Sequence, residues 1–168
     1  MTRRDFFLKW LFYSCATLAL IALQHLLLNP LEFRGVHPFI LPLLAVMPAI
    51  LESRQESLFF AAALGLVCDL TAVTSVPIFY TLVFLAAALL TSLISRRLIM
   101  PGFLCAFLCG LLAMTLNGLL YILFLTFSQG LSAAAAFSLL GWELLLSVPA
   151  APLIFPLYRK IYRRIRNE

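Results

Sequence analysis

The chain is poor in charge and in the polar residues from which soluble surfaces are built. Of its 168 residues, 11% are charged and 64% are hydrophobic, against roughly 25% and 45–50% in ordinary soluble domains. A domain of about 150 residues still exposes roughly 30% of the surface of its unfolded chain, so a water-soluble fold of this size cannot hide so much apolar surface. The composition therefore predicts a membrane protein.

The chain also has few of the residues from which catalytic and metal sites are built. It has 2 histidines, His25 and His37, and no Cys-x-x-Cys, His-x-x-x-His or glycine-rich phosphate-binding pattern. Its 4 cysteines lie in apolar runs, where a free thiol behaves as a small hydrophobic group. Cys105 and Cys109 share a helical face, but no histidine or acid lies at ligand spacing beside them. We therefore predict no enzyme and no cofactor, metal or disulfide site.

The hydrophobic residues are concentrated in six runs. A helix needs about 20 apolar residues to cross a hydrocarbon core of about 30 Å. The second run is short and contains Pro38, Pro42 and Pro48, which predicts a kinked or partly re-entrant segment. We predict an all-α polytopic membrane protein, a bundle of six transmembrane helices in a single domain, with four spans as the alternative. The six predicted spans are 10–28, 36–51, 57–72, 76–94, 103–127 and 139–157, within a domain at 1–157.

The basic residues lie at the ends of the apolar runs and form no continuous stripe. That distribution is typical of topology control and lipid headgroup contact, and it argues against nucleic acid as a partner. With six spans, one side of the membrane collects every Lys and Arg of the 12 in the chain except Arg34. Because cytoplasmic loops keep the positive charge, both chain ends are predicted to be cytoplasmic.

The chain ends in a basic segment, residues 158–168, which reads YRKIYRRIRNE. Its tyrosines and isoleucines repeat at helical spacing against the basic residues, so we predict that the last helix continues along the inner membrane surface. The segment is either an anchor on anionic lipid or a docking site for a cytoplasmic partner. Its candidate contact residues are Arg159, Lys160, Arg163 and Arg164.

Two polar residues inside predicted spans are candidate functional groups, because charged and polar side chains are costly in hydrocarbon. Asp69 lies near the outer end of the third span, where it either caps the turn to the fourth span, through Thr71 or nearby backbone amides, or binds a ligand or partner. Asn117 lies in the middle of the fifth span and is predicted to hydrogen-bond to another helix. Three other polar residues are expected to be interfacial and solvated near the outer membrane surface: Gln24, His25 and Glu143.

Small residues mark helix faces that allow close approach between helices. Ala61 and Gly65 form one such pair, and Gly110 with Met114 and Asn117 forms a second face. Such faces serve internal packing as readily as partner binding. Prolines inside the last span predict a kinked helix whose freed carbonyl groups are buried: Pro149, Pro152 and Pro156.

The order of these features resembles the bacterial rod shape-determining protein MreD family over essentially the whole chain. A Gly-x-x-x-Asp segment followed by a short turn and another apolar span is present as Gly65-Leu-Val-Cys-Asp69-Leu-Thr-Ala-Val-Thr-Ser-Val-Pro77. The ending is similar too, as Pro152-Leu-Ile-Phe-Pro156-Leu-Tyr-Arg159-Lys160. A third similarity is the entry to the second span, residues 34–38.

The resemblance implies a non-enzymatic subunit of the bacterial cell-elongation machinery in the inner membrane. Its partners would be an MreC-like protein, the MreB filament, a RodA-type polymerase and a class B penicillin-binding protein, which together direct side-wall peptidoglycan synthesis. The family also looks like the six-helix substrate-binding subunits of energy-coupling-factor transporters. That likeness supplies the alternative, in which a vitamin binds among the outer polar residues Glu32, Arg34, His37, Asp69 and Glu143.

The scaffold interpretation leads to a mechanistic hypothesis. The bundle would grip a transmembrane helix of a partner through the face formed by Ala61 and Gly65. The basic residues of the tail would meanwhile lie against lipid or the filament.

Overall fold

The computed structural model describes residues 3–28, 30, 37–71, 78–97, 102–129 and 133–166, and within these ranges it contains helices and no strand. An all-α fold is therefore confirmed. The helices are α1 (Arg3–Leu23), which ends in a π-helical turn (Gln24–Leu28), α2 (Leu41–Leu51), α3 (Arg54–Thr71), α4 (Phe79–Arg97), α5 (Phe103–Gln129), α6 (Ala133–Ser147) and, after a 3₁₀ turn (Val148–Ala150), α7 (Ala151–Arg166).

Among the described residues, four helical stretches are long and apolar enough to cross a membrane. Large apolar side chains project from them, as with Leu82, whose side chain is 64% exposed. Such exposure is favourable in lipid and unfavourable in water. These helices indicate a membrane protein. The four stretches are Phe7–Leu26, Phe79–Arg96, Phe103–Phe124 and Phe137–Arg163.

The second predicted span has a different form from the others. Of its described residues, 37–51, only Leu41–Leu51 are helical. These 11 residues give a length of about 16 Å, roughly half the thickness of a hydrocarbon core. Every residue from Leu41 to Ile50 is buried, against α3, α4, α5 and α7. Pro42 lies in the first turn, where a missing N–H costs no hydrogen bond. The run is apolar because α2 fills the centre of the bundle.

The side-chain contacts define two ends of the bundle. At the Lys9 end, the start of α1 meets Glu52 after α2, and Arg96 from the end of α4 lies beside it. At the Asp69 end, Asp69 meets the start of α4, whose Tyr80 ring packs against Phe39 at 5.9 Å between centroids. Helices α1 and α2 therefore run antiparallel, as do α3 and α4.

The last predicted span begins earlier and ends later than the sequence indicates. Helix α6 starts at Ala133, the 3₁₀ turn that contains Pro149 interrupts it, and α7 then continues without a break to Arg166. Tyr158, which the sequence assigns to the tail, is fully buried in the bundle. The tail continues the last helix, as predicted.

Two of the outer polar residues of the vitamin-binding alternative, Glu32 and Arg34, lie outside the described residues.

Candidate functional site

Asp69 and Gly65 together fix the start of α4 onto α3. One carboxylate oxygen of Asp69 accepts a hydrogen bond from the backbone N–H of Tyr80 at 2.9 Å, and the other accepts from the N–H and the hydroxyl of Thr81 at 3.0 and 2.7 Å. The first N–H groups of a helix have no partner within the helix. A carboxylate at this position satisfies two of them and complements the positive end of the helix dipole.

Gly65 lies one helical turn before Asp69 on the same face of α3. A Cβ atom on Gly65 would lie 2.5 Å from the Cα of Thr81 and 2.8 Å from its backbone nitrogen. Both neighbours are backbone atoms, which cannot rotate away, so only glycine allows this approach. We call this pair of residues with the first turn of α4 the α3–α4 clamp.

The clamp answers two questions that the sequence leaves open. Asp69 bonds to backbone amides of α4, and the hydroxyl of Thr71 donates instead to carbonyl groups of its own helix. Gly65 and Ala61 are buried inside the chain. The hypothesis that this face grips a partner helix therefore does not fit the structure, because α4 already covers Gly65.

Ile78, which precedes α4, has φ of 64°, a strained conformation for a β-branched residue.

A second group of polar contacts supports the non-helical entry to α2. Gln24, predicted to be solvated, is 2% exposed. Its side-chain amide donates to the carbonyl of Pro38 and its oxygen accepts from the N–H of Ile40 at 3.0 Å. Ser147 accepts from the N–H of Phe39 at 2.8 Å. Backbone outside a helix is tolerated at membrane depth only where protein groups satisfy it, and these two side chains do so.

A third group lies at the Lys9 end and joins α1 to the turn between α2 and α3. The Lys9 ammonium contacts Glu52 at 2.9 Å and Glu56 at 2.7 Å, and the hydroxyl of Tyr13 donates to Glu52 at 3.1 Å. The side chains of Lys9 and Glu52 are 4% and 7% exposed. We call these four residues the Lys9 network.

The Lys9 network continues into α7 through aromatic contacts. The rings of Tyr13 and Tyr158 stack at 5.5 Å between centroids, and the hydroxyl groups of Tyr158 and Thr17 lie 2.7 Å apart. The first and last helices are therefore joined at one end of the bundle. The sequence predicted only a topology role for Lys9 and the charged turn, and it missed the contact between Lys9 and Glu52. These residues are 43 positions apart, and no local sequence pattern indicates a contact over that separation.

The remaining predicted residues are not brought into one site. Asn117 is 5% exposed, and its amide oxygen finds no hydrogen-bond partner among the described residues, contrary to the predicted bond to another helix. Pro156 lies exposed within α7. The Arg159 guanidinium lies over the Phe155 ring at 5.9 Å, and Lys160 and Arg163 are exposed. The side chain of Arg164 lies outside the described part.

The cysteines and glycines of α5 serve packing. Cys105 and Cys109 are buried with sulfur atoms 3.9 Å apart and no disulfide. Gly110 lies against Leu43 of α2, where an added Cβ would approach the leucine side chain to 2.6 Å. Within the ranges given above, no group of three or more His, Cys, Asp or Glu residues is placed to hold a metal ion.

Comparisons with known proteins give no relative from which a role could be transferred: no family model, curated protein or solved structure matches the chain.

Proposed function

We propose that the chain is a non-enzymatic scaffold subunit of the bacterial cell-elongation complex, similar to MreD, with six membrane crossings and both ends in the cytoplasm. It would help to direct side-wall peptidoglycan synthesis from the inner membrane. Its partners would be an MreC-like protein, a RodA-type polymerase, a class B penicillin-binding protein and the MreB filament.

The observation that carries this proposal is the α3–α4 clamp. The Gly65 to Asp69 segment is the principal motif of the resemblance, and its two defining residues are engaged with the backbone of α4. Such a motif builds the bundle and leaves no free carboxylate at Asp69 for chemistry. A role in holding other proteins in place fits this use of the motif better than catalysis does.

The contact between the first and last helices supports an even number of crossings. Tyr13 on α1 stacks on Tyr158 of α7, so the start of the first helix and the later part of the last helix lie at the same end. The distribution of basic residues supports a cytoplasmic position for that end.

The surfaces proposed for partners are the outer faces of α1 and α6 and the basic end of α7. Both helices expose large apolar side chains, with Leu18 on α1 and Leu145 on α6 as examples. The basic residues of α7 extend from a helix that Tyr158 anchors in the bundle. A partner helix would pack on the apolar faces, while Arg159, Lys160 and Arg163 would contact lipid headgroups or an acidic filament surface.

The proposal is tested by recovery of the complex from a rod-shaped bacterium. The tagged full chain, solubilised in a mild detergent, is expected to co-purify with the MreC-like protein and the elongation synthase, whereas an unrelated tagged six-helix protein does not. Recovery of an energy-coupling module, together with thermal stabilisation by one vitamin, would contradict the scaffold role and support the transporter alternative.

The role of the basic helix end is tested separately in a strain whose own copy is depleted. Changing Arg159, Lys160, Arg163 and Arg164 to Gln is expected to give round cells although the protein inserts normally. The matched control keeps the charge by changing the three arginines to Lys and is expected to preserve the rod shape. Rod-shaped growth of the neutral variant would remove this surface from the proposal.

A further inference from the structure

Helix α7 has an inner face that packs in the bundle and an outer face that does not. On the inner face Ile154 and Tyr158 are buried, and Ile161 packs against the same core. On the outer face Leu153 is 76% exposed and Leu157 is exposed as well. The apolar side of the basic segment therefore covers the protein, and its basic side faces outward.

The outer face of α7 changes from apolar to basic within one helical turn. Leu153, Leu157 and Lys160 follow one another at intervals of four and three residues, which places them on one face of the helix. Arg163 lies one turn after Lys160, and both side chains are exposed. Because a helix rises about 1.5 Å per residue, these two basic residues lie about 4.5 and 9 Å beyond Leu157 along the axis.

The position of this change agrees with the thickness of a bilayer. Residues 137–157, the part of the apolar stretch that precedes the basic residues, have a helical length of about 30 Å, which is the thickness of a hydrocarbon core. The headgroups add about 5–8 Å on each side of that core. Lys160 and Arg163 therefore reach the depth of the lipid phosphates when Leu157 lies at the edge of the hydrocarbon.

The chain itself offers these two cations no counter-charge. Among the described residues, the carboxylates that form ion pairs do so with Lys9, so neither Lys160 nor Arg163 has an acidic partner there. Arg159 differs from them, since its side chain is half-buried and its guanidinium lies over the Phe155 ring at 5.9 Å. The outward-facing charge at this level of α7 thus comes from Lys160 and Arg163.

An anionic phospholipid matches the order of groups along this face. Its acyl chains cover apolar side chains such as Leu153 and Leu157, and its phosphate lies at the level of the two cations. A soluble anion would use the cations alone. An acidic protein surface would first have to displace the lipid phosphates that already lie beside them.

We propose that the outer face of α7 binds an anionic phospholipid, whose phosphate contacts Lys160 and Arg163 while its acyl chains lie along Leu153 and Leu157. The inference deepens the proposed function and rests on it for the cytoplasmic position of this helix end. It names lipid, and not the filament, as the partner of the basic end of α7.

The test uses the purified full chain in bilayer discs of phosphatidylcholine with increasing fractions of phosphatidylglycerol. Native mass spectrometry counts the lipids that stay bound after release into mild detergent. We expect saturable enrichment of phosphatidylglycerol over its fraction in the disc, and we expect raised sodium chloride to weaken it, because salt screens exposed charges. Equal retention of the two lipids overturns the proposal.

Variants of the two cations locate the site on α7. Changing both Lys160 and Arg163 to Gln is expected to lower the apparent affinity for phosphatidylglycerol roughly 25-fold, since each basic residue near an anionic surface contributes about fivefold. The matched control, Lys160→Arg with Arg163→Lys, keeps the charge and the enrichment. Arg54→Gln, which removes an exposed charge at the same end of the bundle, also keeps it. Enrichment that survives in the neutral double variant overturns the proposal.

Variants of the two leucines test the contact with the acyl chains. Leu153→Ala with Leu157→Ala is expected to weaken retention of phosphatidylglycerol, whereas Leu145→Ala, at an exposed position of α6, should not. Equal retention by these variants would overturn the acyl-chain contact.

The outcomes also separate this inference from the proposed function. If the neutral double variant of Lys160 and Arg163 keeps its lipid enrichment but gives round cells, an acidic protein uses this surface and the lipid site is overturned. If the chain shows no enrichment but still co-purifies with the MreC-like protein, the lipid site alone fails. Normal enrichment without recovery of the complex supports the lipid site and contradicts the scaffold role.

Discussion

At the scale of single residues, Gly65 and Asp69 depend on the same first turn of α4. Gly65 lets the backbone of Thr81 approach, and Asp69 then reaches the amides of Tyr80 and Thr81. Asp69 therefore depends on Gly65, since a side chain at position 65 would move α4 out of reach of the carboxylate.

The glycine is tested by adding a single methyl group. Gly65→Ala is expected to destabilise the protein by about 1–3 kcal/mol, as overpacking does in other cores, measured by thermal unfolding in mild detergent. The matched control is Gly141→Ala in α6, where nothing lies within 4 Å of the added Cβ. That variant should be as stable as the wild type or gain up to about 1 kcal/mol of helix propensity. Equal effects at both positions would contradict the clamp.

The carboxylate is tested by removing its acceptor oxygens in steps. Asp69→Ala should cost about 0.5–2 kcal/mol, the usual effect of losing a helix cap, and Asp69→Asn should lie between that variant and the wild type because one acceptor remains. Thr71→Val serves as control, since its hydroxyl bonds to its own helix, and should change stability by less than about 0.5 kcal/mol. Full stability of Asp69→Ala would show that the cap contributes nothing.

The residue scale also shows what a sequence can and cannot reveal. A glycine one turn before an acid in an apolar run indicates a special site, and both residues prove to be buried or bonded. The hydrogen-bond partners of Asp69 are 11 and 12 residues further along the chain, and the backbone that approaches Gly65 belongs to the same helix start. Periodicity within one helix does not identify contacts across a turn, so capping and ligand binding remain equal alternatives until the fold is known.

At the scale of elements, α1 lies at the edge of the bundle and is fastened near both ends by polar side chains. Lys9 joins it to the turn before α3, and Gln24 joins it to the entry of α2. Hydrophobic patterning predicts the helix itself, yet it carries no information about these contacts. A charged residue at the end of a span can be a topology signal or one member of a buried ion pair, and the sequence does not distinguish the two.

The Lys9 network is tested by a double variant. Lys9→Met leaves two carboxylates without their cation and should cost about 3–5 kcal/mol. Adding Glu52→Gln should recover part of that loss, because the more deeply buried charge is then removed. Lys160→Met, at an exposed position, should be nearly neutral. Simple additivity of the two substitutions in chemical unfolding would show that the ion pair makes no energetic contribution.

The entry to α2 is tested by replacing the side-chain amide of Gln24, which bonds to it. Gln24→Leu removes the partners of the Pro38 carbonyl and the Ile40 N–H, and each unsatisfied buried group should cost about 1–3 kcal/mol. The same substitution at exposed Gln55 is the control and should change stability little. Protection of the Ile40 amide from hydrogen exchange should fall only in the Gln24 variant; unchanged protection would contradict the contact.

At the scale of the whole molecule, composition is sufficient to predict helices and a membrane environment. It does not reveal that the second apolar run forms a short central helix, because a buried helix and a spanning helix share the same apolar character. The residues from Leu41 to Ile50 are identified as a buried central helix only by the helices that pack around them.

The arrangement of the helices is tested by reporter fusions. Fusions at the two chain ends should report the same cytoplasmic side, and a reporter inserted in the segment 72–77 should report the opposite side. Opposite locations for the two ends would contradict six crossings and, with them, the proposed family.

The dependence of the α2 entry on Ser147 has a consequence for biogenesis. The Phe39 amide and its serine acceptor are 108 residues apart, so the serine is synthesised well after the amide that donates to it. Until then this amide has no acceptor from Ser147, and a nascent chain truncated before α6 carries an incomplete centre. Assembly of the bundle therefore has to be completed after Ser147 has been synthesised, and chains truncated before α6 should be substrates for membrane proteases.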